Sequence, residues 1–442
     1  MEVSDKDLVS RRGFMKTAAG AGALVAAPMI VPSSVLGQQA GAVPPSDRVV
    51  VGGIGLGMRG ASDLKDLLTM KSAQFVAICD VKSQRREEIK TVVDQAYGNH
   101  DCAMYEDQFE LLAREDIDAV LIATGDRWHA LLAIIAAQHG KDVYCEKPGA
   151  ATIGQALAVI ETFHEYGRIY QGGSQRHDTE NMIFALELAR TGKLGKLQAV
   201  HAQVCGPPER PVVPIRGWLP PEPEPVKQVL DWDRWLGPAP WRPYNSIYVT
   251  RGEGGWYNFW DFYGGGILEW GPHSGDLCQA AANADDTNAV EYDPEVKEAG
   301  PVVINCRYAN GVKLVMRDSG WLPTVGGCCA RFEGDAGWVE SGSSGVVELS
   351  PNLLAKFKAA IPVKASQSTV MHLQNWLDCV KSRQQPHCNV DATMNNIITN
   401  HAAYISWQVR RKLTWDPATK SFVNDDEANR MRSRAMREPW HI

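Results

Sequence analysis

The stretch Val49-Val50-Val51-Gly52-Gly53-Ile54-Gly55-Leu56-Gly57-Met58-Arg59-Gly60 decides the fold of the first half of the chain. A β-branched strand runs directly into a G-x-G-x-x-G pattern, formed by Gly55, Gly57 and Gly60, and a periodic helical run follows. In such a unit the first glycine permits a tight turn, the second lets a pyrophosphate approach the backbone, and the third lets helix and strand pack closely. Asp80 ends the next apolar strand, about 20 residues further on, where a carboxylate can accept hydrogen bonds from ribose hydroxyls. The unit therefore predicts a dinucleotide site.

Length and composition indicate a globular protein of two or three domains. The chain has 442 residues, of which 44% are hydrophobic and 22% charged, and these are ordinary values for such proteins. The net charge of −7 argues against a broad basic surface, so we expect no nucleic acid partner. The ten cysteines include no C-x-x-C pair, which argues against structural zinc and against a small disulfide scaffold.

Residues 1–40 are predicted to be a twin-arginine signal peptide. Ser10-Arg11-Arg12-Gly13-Phe14-Met15-Lys16 has the twin-arginine pattern, and the apolar run Thr17–Val31 is shorter than the roughly 20 residues that span a bilayer. Cleavage is expected between Gly37 and Ala42, after transport by the twin-arginine export machinery to the periplasm or another exported location. Because no free nicotinamide dinucleotide pool exists there, an enzyme of this kind must hold its cofactor and return it to its starting redox state.

Residues 44–172 alternate strand and helix, which predicts a Rossmann domain of the α/β class with a doubly wound parallel sheet. Two strand ends carry chemistry: Thr124-Gly125-Asp126-Arg127-Trp128-His129, and Cys145-Glu146-Lys147-Pro148. Both lie at the carboxyl edge, where such sheets bind ligands. Lys147 could exchange a proton with a substrate oxygen, although a surface lysine in a loop is the simpler alternative. Pro148 also allows a cis peptide bond. Predicted strands are 48–54, 73–80, 118–124, 142–146 and 168–172, and predicted helices are 62–70, 84–96, 106–113, 129–139 and 153–166.

These motifs resemble the Gfo/Idh/MocA family of NAD(P)-dependent oxidoreductases, named for glucose-fructose oxidoreductase and inositol dehydrogenase. The resemblance rests on the glycine fingerprint, on Ile122-Ala123-Thr124 with Trp128-His129, and on Glu146-Lys147-Pro148. It continues in Gly264-Gly265-Gly266-Ile267-Leu268-Glu269-Trp270-Gly271-Pro272-His273-Ser274-Gly275-Asp276, which is similar to the family's turn into a D-x-G-x-H helix. It implies a homo-oligomer, a dimer or tetramer, and a sugar or sugar derivative as substrate. The implied cofactor-binding residues are Gly55, Gly57, Gly60, Asp80, Thr124, Trp128, His129 and Glu146.

The resemblance also assigns Lys147 and His273 to the reacting hydroxyl or carbonyl, with Glu269 as a further catalytic residue. Glu269 stands where many family members carry Asp, which leaves its role less defined. From the residues alone, Pro272 predicts a first helical turn with His273 at its exposed mouth. A capping turn with an exposed histidine and a divalent metal pair are two other interpretations. No third ligand stands at metal spacing, so we predict no metal.

Residues 173–370 are expected to form the family's second α/β domain, with an open, largely antiparallel sheet. Candidate substrate contacts there are Arg176, Trp256 and Tyr257; the aromatic residues could instead hold a long loop in place. Cys328 and Cys329 are expected within a strand. Residues 371–442 are expected to supply helices and a tail that pack back on the core. Predicted strands are 196–204, 301–307, 312–318 and 330–333, predicted helices are 180–191, 371–382 and 392–411, and 231–238 is predicted to be a loop.

Three functions remain open from the sequence. The leading one is an exported oxidoreductase that transfers a hydride to or from a sugar with a retained cofactor. The second is a lyase or hydrolase that oxidises a sugar transiently, eliminates a glycosidic group and regenerates the cofactor. The third is a sugar-binding protein without catalysis. Asp80 favours NAD over NADP, whereas Lys82, Ser83, Arg85 and Arg86 leave NADP possible because they could bind its 2′-phosphate.

Overall fold

Six parallel strands form the first sheet of the computed structural model, which describes residues 44, 47–205, 214–250, 255–296, 301–362 and 369–442. The strand order is the doubly wound one, with the first strand of the glycine unit in the middle of the sheet. The parallel α/β prediction is therefore confirmed. In the order in which they lie, the strands are β3 (Ala103–Tyr105), β2 (Ala73–Cys79), β1 (Val49–Ile54), β4 (Ala119–Ile122), β5 (Asp142–Cys145) and β6 (Tyr170–Gly172).

Helices connect these strands at the predicted places, with two differences. The first helix begins directly behind the fingerprint, at Met58 rather than at Ser62, so its amino end faces the glycine turn. The short edge strand β3 was not predicted, because three residues give no readable alternation. The helices are α1 (Met58–Leu67), α2 (Ser83–Tyr97), α3 (Gln108–Leu112), α4 (Asp126–Gln138) and α5 (Ile153–Tyr166).

Two fingerprint glycines are required by close packing between β1, α1 and the chain after β4. Gly55 has a φ of +67°, and a Cβ on it would lie 2.1 Å from Cγ2 of Thr124. A Cβ on Gly60 would lie 2.7 Å from the Cβ of Ala123, at the crossing of α1 with β4. Any side chain at either position would push the helix off the sheet.

The second sheet has nine strands, and all its pairings except that of β7 with β10 are antiparallel. This confirms the open, largely antiparallel sheet. Four strands lie where the sequence predicts them; β8 and β12 to β15 were missed because they are short or follow irregular segments. The strands, in spatial order, are β13 (Val347–Leu349), β12 (Gly337–Ser341), β11 (Ala330–Gly334), β7 (Leu197–Gln203), β10 (Lys313–Arg317), β9 (Val303–Tyr308), β8 (Ala289–Pro294), β14 (Leu413–Asp416) and β15 (Ser421–Phe422).

The helix of the glycine-rich motif differs from its prediction. It starts at Gly266, after Gly265 with a φ of +106°, so Pro272 lies inside the helix and not in its first turn. His273 is consequently half-buried within the helix, and the prediction of an exposed mouth is wrong. Proline in the helix interior removes one backbone hydrogen bond, so tertiary contacts must hold this turn. One such contact is the Ser174 hydroxyl, which donates to the Pro272 carbonyl at 2.9 Å.

The remaining helices pack the second half against both sheets. The helix containing Leu373, Trp376 and Leu377 shares a core cluster with Val51 and Leu64 of the first domain. At residues 231–238 the loop prediction is wrong, because a short helix capped by Asp231 forms there. The helices are α6 (Glu180–Arg190), α7 (Trp232–Leu236), α8 (Gly266–Ala281), α9 (Pro351–Phe357), α10 (Thr369–Ser382), α11 (Val390–Val409) and α12 (Asp426–Arg430).

The cysteines and the tail complete the chain. All ten cysteines are buried and none forms a disulfide. Cys328 and Cys329 precede β11 instead of lying in a strand, and Cys328 has a φ of +49°. The tail packs on its own chain, where the Trp440 ring meets Trp128 at 4.8 Å. Within the described ranges, no helix combines the length and apolarity needed to traverse a bilayer. The predicted signal peptide lies outside the described residues.

Candidate active site

A cavity of about 450 Å³ opens at the carboxyl edge of the first sheet. Its walls come from both halves of the chain. Among the residues singled out from the sequence, eleven line it, whereas Gly60, Arg176 and His273 do not. Those that line it are Gly55, Gly57, Asp80, Thr124, Trp128, His129, Glu146, Lys147, Trp256, Tyr257 and Glu269.

The fingerprint end of the cavity fits a dinucleotide. No atom lies within 4 Å of where a Cβ on Gly57 would be, so the backbone at the start of α1 is open to a pyrophosphate. Asp80 lies at the end of β2, and its carboxylate accepts the Lys82 N–H at 2.9 Å. Burial raises the pKa of the Asp80 carboxyl, while that hydrogen bond acts in the opposite direction. Gly57 and Asp80 would hold the pyrophosphate and the ribose, respectively.

The basic residues after Asp80 are already engaged within the protein. The Lys82 ammonium donates to the Val249 carbonyl at 2.9 Å, and Arg86 donates to the Asp80 carbonyl at 2.5 Å. Arg85 pairs with Glu88 at 2.8 Å. A 2′-phosphate would have to compete with these contacts, which favours NAD over NADP.

A segment of the second half covers the outer side of the cavity. This roof segment, residues 226–250, contributes Arg234, Trp235, Val249 and Thr250 to the cavity wall. Its backbone joins the chain after β2: Ser83 N donates to Val229 O, and Asp231 N donates to Val81 O, both at 3.1 Å.

Side chains fasten the roof segment further. Arg234 pairs with Asp107 at 2.7 Å, and the indole N–H of Trp128 donates to the Arg234 carbonyl at 3.1 Å. The Arg127 guanidinium donates to the Trp235 carbonyl at 2.5 Å and lies 3.9 Å from the centre of that ring. Trp128 therefore anchors the roof as well as lining the cavity.

Glu146 is the centre of a buried polar network. Its carboxylate accepts from Arg59 Nε at 3.1 Å, from Gln175 Nε2 at 2.6 Å and from Lys147 N at 3.2 Å. Arg59 also pairs with the fully buried Asp63 at 2.5 Å. Burial, together with the charge of Glu146, raises the pKa of Asp63 to about 9, so this carboxyl is protonated at neutral pH. The sequence analysis missed Arg59 and Asp63 because both lie on an ordinary helix.

His129 holds the two strand-end loops together. Its ring nitrogens lie 2.7 Å from the Pro148 carbonyl and 3.1 Å from the Thr124 carbonyl. Burial lowers the pKa of this imidazole, and a neutral ring donates to only one of the two. The Lys147–Pro148 peptide bond is cis, which the sequence allowed.

Lys147 and Glu269 face each other across the cavity. Lys147 Nζ lies 4.0 Å from Glu269 Oε1, and the Tyr263 hydroxyl donates to Glu269 Oε2 at 2.6 Å. These side chains come from the end of β5 and from the first turns of α8, which are more than a hundred residues apart in sequence. The result is an amine, a carboxylate and a phenol in one chain of contacts. Such a chain can move a proton to or from a substrate oxygen.

His273 lies one helical turn beyond Glu269 and on the same face of α8. Burial, followed by the charges of Lys147, Arg176 and Arg59, lowers the pKa of the His273 imidazole far below its usual range. The ring is therefore neutral at pH 7. Its Nδ1 is buried and has no hydrogen-bond partner among the described residues, which suits it to contact a substrate. Arg176 and His273 thus belong to the electrostatic surroundings of Lys147 even though they do not line the cavity.

Asp126 is a site residue that the sequence analysis quoted but gave no role. It begins α4, is 3% exposed, and accepts the Gly264 N–H at 3.1 Å, which docks the glycine-rich turn on the first domain. Burial raises its pKa to about 7; the hydrogen bond from Gly264 and the charge of Lys147 act against this increase.

Three aromatic rings form the wall on the second-domain side. Trp256 packs edge-on against Tyr257 at 5.7 Å and against Tyr263 at 6.2 Å, and Trp256–Asn258 form a single 3-10 turn. Aromatic faces of this kind suit the apolar face of a sugar ring.

A dinucleotide groove that ends at an amine, a carboxylate and a neutral imidazole defines a nicotinamide-dependent oxidoreductase. Family comparison agrees with this class. The description "Oxidoreductase family, NAD-binding Rossmann fold" matches residues 48–174, and "Oxidoreductase family, C-terminal alpha/beta domain" matches residues 216–442. The chain belongs to the Gfo/Idh/MocA family, and its first domain is an NAD-binding domain.

Individual relatives are more distant. A glycosyl hydrolase family 109 protein of Solibacter usitatus is 29% identical over 206 residues, which cover 43% of this chain and 44% of that protein. The chain thus spans less than half the length of the curated relatives it matches first. The WlbA dehydrogenase of Chromobacterium violaceum, solved with NADH and UDP-GlcNAcA, has a TM-score of 0.62 at 13% identity over 88% of this chain and 99% of that one. The aldose-aldose oxidoreductase of Caulobacter crescentus, complexed with glycerol, has a TM-score of 0.57 at 18% identity, over 83% and 99%. These structures support the fold alone.

Proposed function

We propose that this protein is an exported enzyme that oxidises a CH–OH group of a sugar or sugar derivative with a retained NAD. The observation that carries the proposal is the 4.0 Å approach of Lys147 to Glu269 at the end of a groove that fits a dinucleotide. NADP is the less favoured cofactor, because the basic side chains after Asp80 are engaged within the protein.

The site residues have separable tasks in this proposal. Bound NAD supplies a hydride acceptor and, in the reverse step, a hydride donor. Lys147 takes the proton of the reacting hydroxyl as the carbon is oxidised, and Glu269 orients the Lys147 amine. The neutral His273 accepts or donates one further hydrogen bond to the substrate. The Trp256 and Tyr257 rings pack against the sugar ring and exclude water.

Retention of the cofactor is supported by the roof segment. Its residues line the cavity and are tied to the first domain by backbone hydrogen bonds at Val81 and Ser83. A dinucleotide beneath this segment leaves only after those contacts open, so release should be slow compared with turnover. A retained cofactor must be re-oxidised in place, either by a second sugar or by reversal of the first oxidation.

A second outcome, elimination of a glycosidic group, is favoured by one observation. The Tyr263 hydroxyl bonds to Glu269, which gives the site a second acid–base pair beside Lys147. Once a sugar carbon is a ketone, the neighbouring C–H is acidic; Glu269 could take that proton while the glycosidic oxygen leaves. The similarity to glycosyl hydrolase family 109 proteins supports this outcome.

The principal test is native mass spectrometry of the purified mature protein. We expect bound NAD and a dimer or tetramer; protein without a dinucleotide that also fails to bind added NAD would contradict the proposal. Incubation with glycosides then separates the outcomes. One oxidised and one reduced sugar indicates hydride exchange, whereas a free aglycone without net cofactor reduction indicates elimination.

The role of Lys147 is tested by replacing it. We expect Lys147→Met to lower turnover about 100- to 10,000-fold, the usual contribution of a positioned acid or base, while NAD still co-purifies. The matched control is the exposed Lys65, where Lys65→Met should leave turnover unchanged. Full activity of Lys147→Met would refute the assignment and would favour a binding protein without catalysis.

Export is tested separately. Replacing Arg11 and Arg12 with lysine should keep the protein in the cytoplasmic fraction and leave the signal uncleaved. Secretion of this variant at the wild-type level would show that the twin-arginine pattern is accidental.

A further inference from the structure

Three buried side chains from separate segments meet behind the active site. His177 follows Arg176 in the 3-10 turn Gln175–Asp178, Asp276 lies on α8, and Cys388 precedes α11. His177 Nε2 lies 3.0 Å from Asp276 Oδ2, and Cys388 Sγ lies 3.8 Å from the same oxygen. All three potential ligand atoms lie within 4.8 Å of one another. Asp276 is 2% exposed and Cys388 is fully buried.

The geometry is close to that of a tetrahedral metal centre. With metal–nitrogen and metal–oxygen bonds of roughly 2.1 Å and a metal–sulfur bond of roughly 2.3 Å, tetrahedral ligands lie about 3.4 Å (N to O) and about 3.6 Å (S to O) apart. The observed separations of 3.0 and 3.8 Å need only adjustments of a few tenths of an ångström. An imidazole, a carboxylate and a thiolate are together a ligand set for zinc.

The surroundings also carry an excess of negative charge. Asp285 is near enough to Asp276 and His177 for their charges to act on its carboxyl, and its Oδ1 is buried without a hydrogen-bond partner in the described part of the chain. Asp178 is balanced separately, by His372 at 2.6 Å and His387 at 3.2 Å. A buried carboxylate oxygen without a donor is costly, and a cation bound beside it removes that cost.

We propose that His177, Asp276 and Cys388 bind one divalent transition metal of the zinc class, with Asp285 or water as the fourth ligand. The site is structural, because none of the three ligands lines the cavity. The metal would join the turn that carries Arg176 to the helix that carries His273.

Binding has a defined proton balance. Burial, with the charges of Asp276, Asp178 and Asp285, raises the pKa of the Cys388 thiol well above its usual range, so the metal-free thiol is protonated. Although burial opposes it, the charge of Asp276 raises the pKa of His177. Metal binding therefore breaks one S–H bond and removes one imidazolium proton, and both protons pass to solvent as the metal–sulfur and metal–nitrogen bonds form.

Elemental analysis and cobalt substitution test the site in the full-length protein. Protein from zinc-supplemented cells, purified without chelator, should contain stoichiometric zinc, and the metal-free protein should take up Co²⁺ with a thiolate-to-cobalt charge-transfer band. Cys388→Ser should lose the band and most of the metal, while Cys379→Ser, which changes another buried cysteine, should keep both.

The wild-type measurements need no variant, so a misfolded Cys388→Ser protein would not leave the question open. If the wild-type protein contains no zinc and shows no charge-transfer band with excess Co²⁺, the proposal is overturned. The three residues are then a hydrogen-bonded cluster in which the thiol and the imidazolium donate to Asp276. A band of equal strength in Cys388→Ser would overturn it as well, because the thiolate would come from another cysteine.

Discussion

Replacing Asp126 with asparagine should make the protein more stable at neutral pH. Asn keeps an oxygen that accepts the Gly264 N–H, which now lies 3.1 Å from Asp126 Oδ2, and it has nearly the same volume. It cannot ionise. Since the carboxyl is 3% exposed, the substitution removes the cost of a buried charge with little change in packing.

The magnitude follows from the shift in pKa. Burial raises the pKa of Asp126 from 3.8 to about 7 in the folded protein. Between these values the folded chain holds a proton that the unfolded chain has released, so the free energy of unfolding falls as the pH rises. At 1.36 kcal/mol per pKa unit, the loss across the window is about 4 kcal/mol. Asp126→Asn lacks this loss, so it should match the wild type near pH 4 and exceed it by about 4 kcal/mol above pH 7.

Urea denaturation at a series of pH values between about 4 and 8 measures the difference directly. The control is Asp116→Asn: Asp116 is 60% exposed in its side chain and pairs with Arg114 at 2.6 Å. That hydrogen bond lowers the pKa of Asp116, so this control should lose a little stability at neutral pH instead of gaining it. The reasoning is refuted if the unfolding free energies of Asp126→Asn and the wild type run parallel across the whole range.

Three other predictions concern the cofactor end of the cavity. Gly60→Ala should lower stability by about 1–3 kcal/mol through overpacking, whereas Gly57→Ala, with open space at its Cβ, should unfold like the wild type but bind NAD about tenfold to a hundredfold more weakly, as calorimetry would show. Asp80→Ala should weaken NAD binding by at least about tenfold in the same titration, because it removes a charged acceptor; unchanged affinity would show that Asp80 does not contact the ribose. Arg234→Ala should speed NAD release up to about fivefold in a stopped-flow chase, while Arg411→Ala, which breaks an ion pair elsewhere, should leave the rate unchanged.

Much of the first domain could be predicted because its signals are local. The glycines after β1 and the motifs after β4 and β5 are constrained by the turn in which each lies. Parallel strands bring their carboxyl ends to one edge without further information. Errors occurred where tertiary contacts replace a local rule. Pro272 predicts a helix start, but the Ser174 hydroxyl bonds to its carbonyl and the helix passes through it.

The missed site residues share one physical reason. Asp63, Asp126 and Tyr263 have no distinctive sequence environment, and their chemistry arises from what surrounds them. Burial beside Glu146 raises the pKa of Asp63 to about 9, and burial at the Gly264 turn raises that of Asp126 to about 7. Desolvation is a property of the folded chain, so it cannot be read from a motif.

The sequence by itself determined the NAD-binding domain, its strand order, the second antiparallel sheet and the two motifs that carry Lys147 and Glu269. Only the tertiary structure decided that these two side chains lie 4.0 Å apart, that residues 226–250 cover the groove, and that His177, Asp276 and Cys388 meet in the interior. Fingerprints and periodicities are set by interactions within a few residues of each other. Contacts between segments separated by a hundred residues or more depend on how two sheets and their helices pack, and that packing leaves no local pattern in the chain.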